Sequence, residues 1–158
     1  MKSKSIKLTL DDFFEEDFIL IAIYTEEEDY RMAFLLNYFF QMHFVKTHAI
    51  SDEKNKVLFS VFEYKDESHF RDWYLLQNYQ LKSEVIKSGL FADMETISEK
   101  PVHYLKEFPK TKYFLKIEGE ENNLFFNEFI EKLIQIPQIY TAEIVDLQRI
   151  KNMNLLKF

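Results

Sequence analysis

The chain has 158 residues, of which 47% are hydrophobic and 17% aromatic, and it carries a net charge of −7. That is the length of one domain, with ample apolar surface to offset the entropy of ordering, so a disordered chain is excluded. Cysteine is absent and glycine occurs only at Gly89 and Gly119, which removes thiol chemistry, zinc knuckles, iron–sulfur clusters, disulfides and glycine-rich phosphate loops.

Taken in chain order, residues 1–10 are expected as a flexible arm, and residues 11–158 as a single α+β domain with a C-terminal tail over 147–158. The opening "MKSKSIKLTLDDFFEED" has lysines but no apolar core of a signal peptide. The longest apolar runs, "FILIAI" and "MAFLLNYFF", are too short to span a bilayer. A cytoplasmic protein with no membrane partner is the expectation.

"DFILIAIYT" is a continuous Ile-rich run, the pattern of a strand buried on both faces. Thr25 and Glu28 then form a capping box, and the acids at 26–29 suit the positive end of a helix dipole. The helix is predicted to run to about Gln41, with Met32, Ala33, Leu35, Leu36, Phe39, Phe40 and His43 on its core face. Strands are predicted for "FVKTHAI" and "KVLFSVFEY", followed by a turn at "KDESH". "FRDWYLLQNY" reads as a strand, with a helix capped by Asp66 as the alternative.

Residues 80–102 show no clear period and are expected as a covering loop or a short helix around "SEVIKS". "TKYFLKIEG" is a strand with Tyr113, Leu115 and Ile117 on one face and Lys112, Phe114 and Lys116 on the other. Past Gly119 a second helix carries the stripe Phe125, Phe126, Phe129, Ile130, Leu133 and Ile134, with Glu128 and Lys132 as an exposed pair. Pro137 ends it, and "IYTAEIV" is the last strand. Two strand–helix–strand stretches with hairpin strands between them predict a mainly antiparallel sheet with two helices packed on one face. The expected arrangement is a ferredoxin-like or ACT-like pair of pseudo-duplicated βαβ units.

Several stretches together carry a resemblance: "DYRMAFLLN", "FSVFEY", "LKEFPKTKYFL", "IPQIYTA" and the ending "NLLKF". On these the chain resembles the IPExxxVDY family of small uncharacterised bacterial proteins. Leu105, Glu107 and Tyr113 match the motif, whereas Lys106, Thr111 and Lys112 depart from its Pro, Val and Asp. The resemblance implies a fold and a cytoplasmic bacterial setting, and brings no activity, cofactor or catalytic residue.

The residues with chemical potential each have a plain structural counterpart. Glu107 and Tyr113 could pair as base and proton donor, but no His, Ser or second carboxylate lies near them, so entry of the chain into a sheet is preferred. His43, His48, His69 and His103 are scattered, without the spacing of a metal site, and His43 is expected in or near the core. Asp11, Asp12, Glu15 and Glu16 lack the alternation and glycine of a calcium loop. Lys112, Phe114 and Lys116, within a run of five lysines from Lys100 to Lys116, resemble a base-stacking strand face, although the net charge disfavours nucleic acid.

Tyr30, Phe34 and Tyr38 recur every four residues on the side of the first helix away from its core stripe. They are either a protein-docking ridge or a surface covered by another segment. Leu155, Leu156 and Phe158 pose the same choice for the tail. The function expected is that of a non-enzymatic adaptor or regulatory domain with no cofactor, binding a protein partner or itself as a homodimer. A small-metabolite sensor of ACT-like type is the alternative, and a single-stranded RNA-binding module a further one.

Overall fold

The computed structural model describes residues 18–87, 95–119 and 123–158. The expected arm over 1–10, the acids at 11–17 and the polar stretch at 120–122 lie outside the described residues. The elements are β1 (Phe18–Thr25), α1 (Asp29–Phe40), β2 (Val45–Asp52), β3 (Val57–Asp66), β4 (Arg71–Gln77), β5 (Tyr79–Lys87), β6 (Glu95–His103), β7 (Tyr113–Gly119), α2 (Asn123–Ile134) and β8 (Ile139–Ile144). Two short 3-10 turns, Leu147–Arg149 and Met153–Leu156, complete the tail.

The fold is α+β. Six strands form one antiparallel sheet in the order β2-β3-β4-β7-β1-β8, and β5 and β6 form a separate hairpin. Register follows the apolar pattern: Ala22 faces Phe114, Ile23 faces Ala142, and Leu75 faces Leu115. A slip of one residue would turn every one of these side chains to the other face. The two crossovers are unequal. Between β7 and β8 lies only β1, whereas β7, β4 and β3 all separate β1 from β2. The two strand–helix–strand stretches, β1–α1–β2 and β7–α2–β8, therefore cross the sheet over different distances.

Both faces of the sheet are buried. On one, Ile21, Ile23, Trp73, Leu75, Tyr113, Leu115 and Ile117 pack under the two helices, which meet where Phe40 lies 4.5 Å from Phe129. On the other, Leu20, Ala22, Val61, Leu76 and Phe114 are covered by Leu105, Phe108, Val145, Ile150 and Leu156. That second cover has no strand or α-helix; it is the segment between β6 and β7 together with the tail and its two short 3-10 turns.

Local expectations failed where tertiary partners intervened. The capping box does not form: Glu28 is the N-cap without a side-chain hydrogen bond, and the helix starts at Asp29. Tyr113 donates its hydroxyl to the Glu27 carbonyl (2.7 Å), and Thr25 accepts from the Glu27 amide while donating to the Gln138 carbonyl (2.7 Å), so residues 25–28 stay extended. At the other end Gln41 turns left-handed (φ 54°) and stops α1. His43 consequently leaves the helical face and is exposed, and Phe39 is exposed as well. Asn37 bonds both backbone groups of Phe44 and so fixes the turn into β2.

Neither expectation for residues 80–102 holds, because the described part is the β5–β6 hairpin. Pro101 sits within β6, where it is tolerated because β6 pairs on one side only. Glu128 and Lys132 form no ion pair among the described residues.

Candidate functional site

The motif residues end up on opposite sides of the sheet. Tyr113 lies in the helix-side core, fully buried, with its hydroxyl on Glu27. Burial, with the acids at 27–29 adding to it, pushes that hydroxyl far above its ordinary range, so it stays protonated. Glu107 belongs to the covering segment and accepts from the Lys151 amide (3.3 Å), while Leu105 is buried in the second cluster. No contact joins Glu107 to Tyr113. Their six-residue spacing ties the covering segment to the sheet and forms no catalytic pair.

What positions this segment is a residue the sequence did not single out. Asn78, fully buried between β4 and β5, donates from its side chain to the carbonyls of Phe108 (3.1 Å) and Thr111 (2.9 Å) and accepts from the Leu105 amide (2.6 Å). Its backbone amide donates to Lys112 O (2.8 Å), and its carbonyl accepts from the Tyr104 amide (2.9 Å). An irregular buried segment carries polar backbone groups that need partners, and Asn78 supplies five of them.

The lysine-bearing face of β7 is covered. Phe114 is fully buried and Lys116 is 3% exposed; only Lys112 reaches the surface, beside the Tyr79 ring. The ammonium of Lys116 donates to Leu156 O (2.6 Å), pairs with Glu118 (2.6 Å), and stands 4.9–5.3 Å from the rings of Phe18, Phe158 and Tyr74. Tyr104 donates to Leu155 O (2.6 Å). Leu156 is buried and Leu155 and Phe158 are partly so, which makes the tail part of the domain's own second core. A base-stacking platform has no open face here.

The four histidines stay apart. His43 meets Tyr64 edge-on, His48 lies beside Thr47 on the outer strand, and His103 packs against Tyr79. His69 pairs with Asp66 (2.8 Å) in the β3–β4 turn. Burial works against the Asp66 carboxylate, but hydrogen bonds from Ser68 and His69 outweigh it and hold the acid below its ordinary range. Both Ser68 and Asp66 approach the same nitrogen of His69, so the three do not form a nucleophilic relay. Among the described residues no three metal-ligating side chains gather.

Tyr30, Phe34 and Tyr38 are bare, at 65%, 52% and 69% exposure. Phe34 stacks on Tyr38 (6.0 Å), Tyr38 meets Phe39 edge-on (5.1 Å), and Arg31 lies over Phe34 (5.4 Å). The rings line the solvent side of α1, opposite the buried Met32, Ala33, Leu35 and Leu36. Of the two choices left by the sequence, the docking ridge and the covered surface, the described structure has the rings uncovered.

A second feature was not anticipated. Where the end of α1, the β3–β4 turn and the start of α2 diverge, the helix-side face opens as a cleft of about 300 Å³. It is lined by Trp73 and Arg71 of β4, by Phe125, Phe129, Phe40 and Tyr64, and by the charged Asp66, Glu128 and Lys132. The only sequence signal for it was the alternation Arg71, Trp73, Leu75, which puts a cation in the row of core-facing side chains. The β3–β4 turn lies close against Gly119 (φ 131°), where a Cβ would collide with the Phe70 carbonyl.

No protein-family model matches the chain, and no curated protein or solved structure matches it. No helix of the described residues is long and apolar enough to cross a membrane.

Proposed function

We propose that the protein is a non-enzymatic adaptor or regulatory domain that acts by docking the outer face of α1 on a protein surface, a second copy of the chain being the first partner to test. The carrying observation is the aromatic ridge: three rings more than half exposed and aligned at one helical spacing, with Phe34 stacked on Tyr38. Clustered Tyr and Phe with an adjacent Arg are the side chains that dominate protein interfaces, because they bury large area at little conformational cost. Hydration of such rings in a lone monomer is unfavourable, which supplies the drive for association.

The test is sedimentation velocity across micromolar to millimolar protein, on the parent chain and on Tyr30→Ser/Phe34→Ser/Tyr38→Ser. Association in the parent and its loss in the variant, with an unchanged melting temperature, is the expected result. A parent that stays monomeric, together with equal retention of every lysate protein by parent and variant, would overturn the proposal. The small-metabolite sensor is the second reading, favoured by the end cleft. RNA binding through Lys112, Phe114 and Lys116 loses its support, because two of the three side chains are buried. The ferredoxin-like kinship and the tie to the IPExxxVDY proteins remain proposals that rest on the residues quoted above.

A further inference from the structure

We infer that the end cleft is a binding site for a small organic carboxylate with an aromatic or apolar body, and that Arg71 is the residue that receives the carboxylate. The first observation is an unanswered cation. Arg71 is only 9% exposed, its Nε is buried without an acceptor, and it has no ion pair among the described residues. Its guanidinium carbon lies 4.2 Å from the Phe125 ring centre and 5.6 Å from that of Phe126. A cation over a ring face keeps its N–H donors unsatisfied, since the ring offers charge stabilisation but no lone-pair acceptor.

The second observation is independent. Trp73, two residues along the same strand face and lining the same cleft, has a fully buried indole N–H with no acceptor. Buried donors are almost always satisfied; of the five buried side-chain atoms without a partner among the described residues, two belong to residues that line this one cavity, and an acceptor supplied from outside the chain would answer both. Asp66, an acid of the β3–β4 turn, bonds instead to Ser68 and His69 and forms no ion pair with Arg71 among the described residues.

The chemistry of the cleft selects among anions. The ionised side chains of the lining, Arg71 and Lys132 against Asp66 and Glu128, balance in charge, so a phosphate monoester would add two negative charges among the aromatic rings of the cleft and a monocarboxylate only one. A monocarboxylate matches the guanidinium's fork of N–H donors in both charge and geometry, and its apolar body would lie against Phe125, Phe129 and Tyr64. A volume of about 300 Å³ is at the small end of ligand sites, which points to a body of one ring or an equivalent branched chain.

Trp73 is the only tryptophan in the chain, so its fluorescence and its indole N–H resonance report on this cleft alone. The probes are phenylacetate, its uncharged counterpart phenylacetamide, and phenyl phosphate, titrated into the full chain. Phenylacetate is expected to shift the Trp73 signals saturably, with phenylacetamide and phenyl phosphate each at least about tenfold weaker. Arg71→Leu should abolish the shift while keeping a dispersed amide spectrum. Should Arg71→Leu not fold, Arg71→Lys decides, because a lysine keeps the charge but lacks the fork and is expected to bind about tenfold more weakly. Equal binding of acid and amide, preference for the phosphate, no shift with any probe, or full binding by Arg71→Lys would each overturn the assignment. The ridge on α1 plays no part in this experiment, so its outcome is separate from that of the association test.

Discussion

Two buried cations occupy opposite faces of the same sheet, and the chain treats them differently. Lys116, on the tail side, is fully answered by Leu156 O, Glu118 and three aromatic rings. Arg71, on the helix side, has rings around it and no anion. The difference follows from how each face is covered. Helices satisfy their own backbone and reach the sheet with apolar side chains, so a polar group beneath them must find its partner elsewhere. Irregular chain brings free carbonyls and amides to the sheet, and each must be matched. On the tail side Asn78, Lys116, Glu107 and Tyr104 all do this matching, which makes that face a polar lattice laid over an apolar core. A buried cation on the tail side fastens the cover, whereas the one on the helix side is met by aromatic rings alone.

The contrast can be broken at its strongest point first. Asn78→Ala would leave the Leu105 amide and the Phe108 and Thr111 carbonyls without partners, at a cost of roughly 3–4 kcal/mol by the usual penalty for orphaned buried groups. Urea denaturation would measure it, and a loss below about 1 kcal/mol would show that the covering segment is held by its apolar contacts alone. Lys116→Met is next. It keeps the packing of the stem but frees Leu156 O, so a loss of about 2 kcal/mol is expected. Amide exchange should quicken in residues 147–158 before the helices are affected; uniform quickening would deny that the tail docks as a unit.

The smallest effect concerns alkaline pH. Burial, reinforced by Glu118, Asp72 and Glu63, pushes the Tyr74 hydroxyl from 10.0 up to about 12, and Tyr113 is raised further by burial among the acids at 27–29. A folded-state value above the unfolded one keeps the phenol neutral in the native chain, so stability is intact below pH 10 and falls as pH climbs from about 10 to 12. Tyr74→Phe should flatten that decline in a series of melts between these pH values. An unchanged slope would mean that Tyr74 does not titrate across unfolding.

The parts of this architecture that were legible in advance are those set by local pattern. The Ile-rich β1 and the alternating Tyr113, Leu115 and Ile117 of β7 showed strands, and the stripe from Phe125 to Leu133 showed α2, because a chain of these side chains hides its apolar surface in only one way. The ridge of Tyr30, Phe34 and Tyr38 was also visible, since four-residue spacing places side chains on one helical face wherever the helix sits. The β5–β6 hairpin escaped notice because Val85 and Ile97 pair across it while still facing solvent, so the alternation of its side chains has no core to point to. Asn78 escaped because a single amide acquires meaning only from partners about thirty residues away.

Composition and periodicity by themselves thus determined that this chain would be an aromatic-rich α+β domain, and which faces of its helices and strands would be greasy. They could not decide what would lie on each face. Only the tertiary structure put the tail over Lys116 and left Arg71 open between two diverging helices, because hydrogen-bond and charge satisfaction depend on contacts between residues far apart along the chain, whereas burial of apolar surface is written into each short segment.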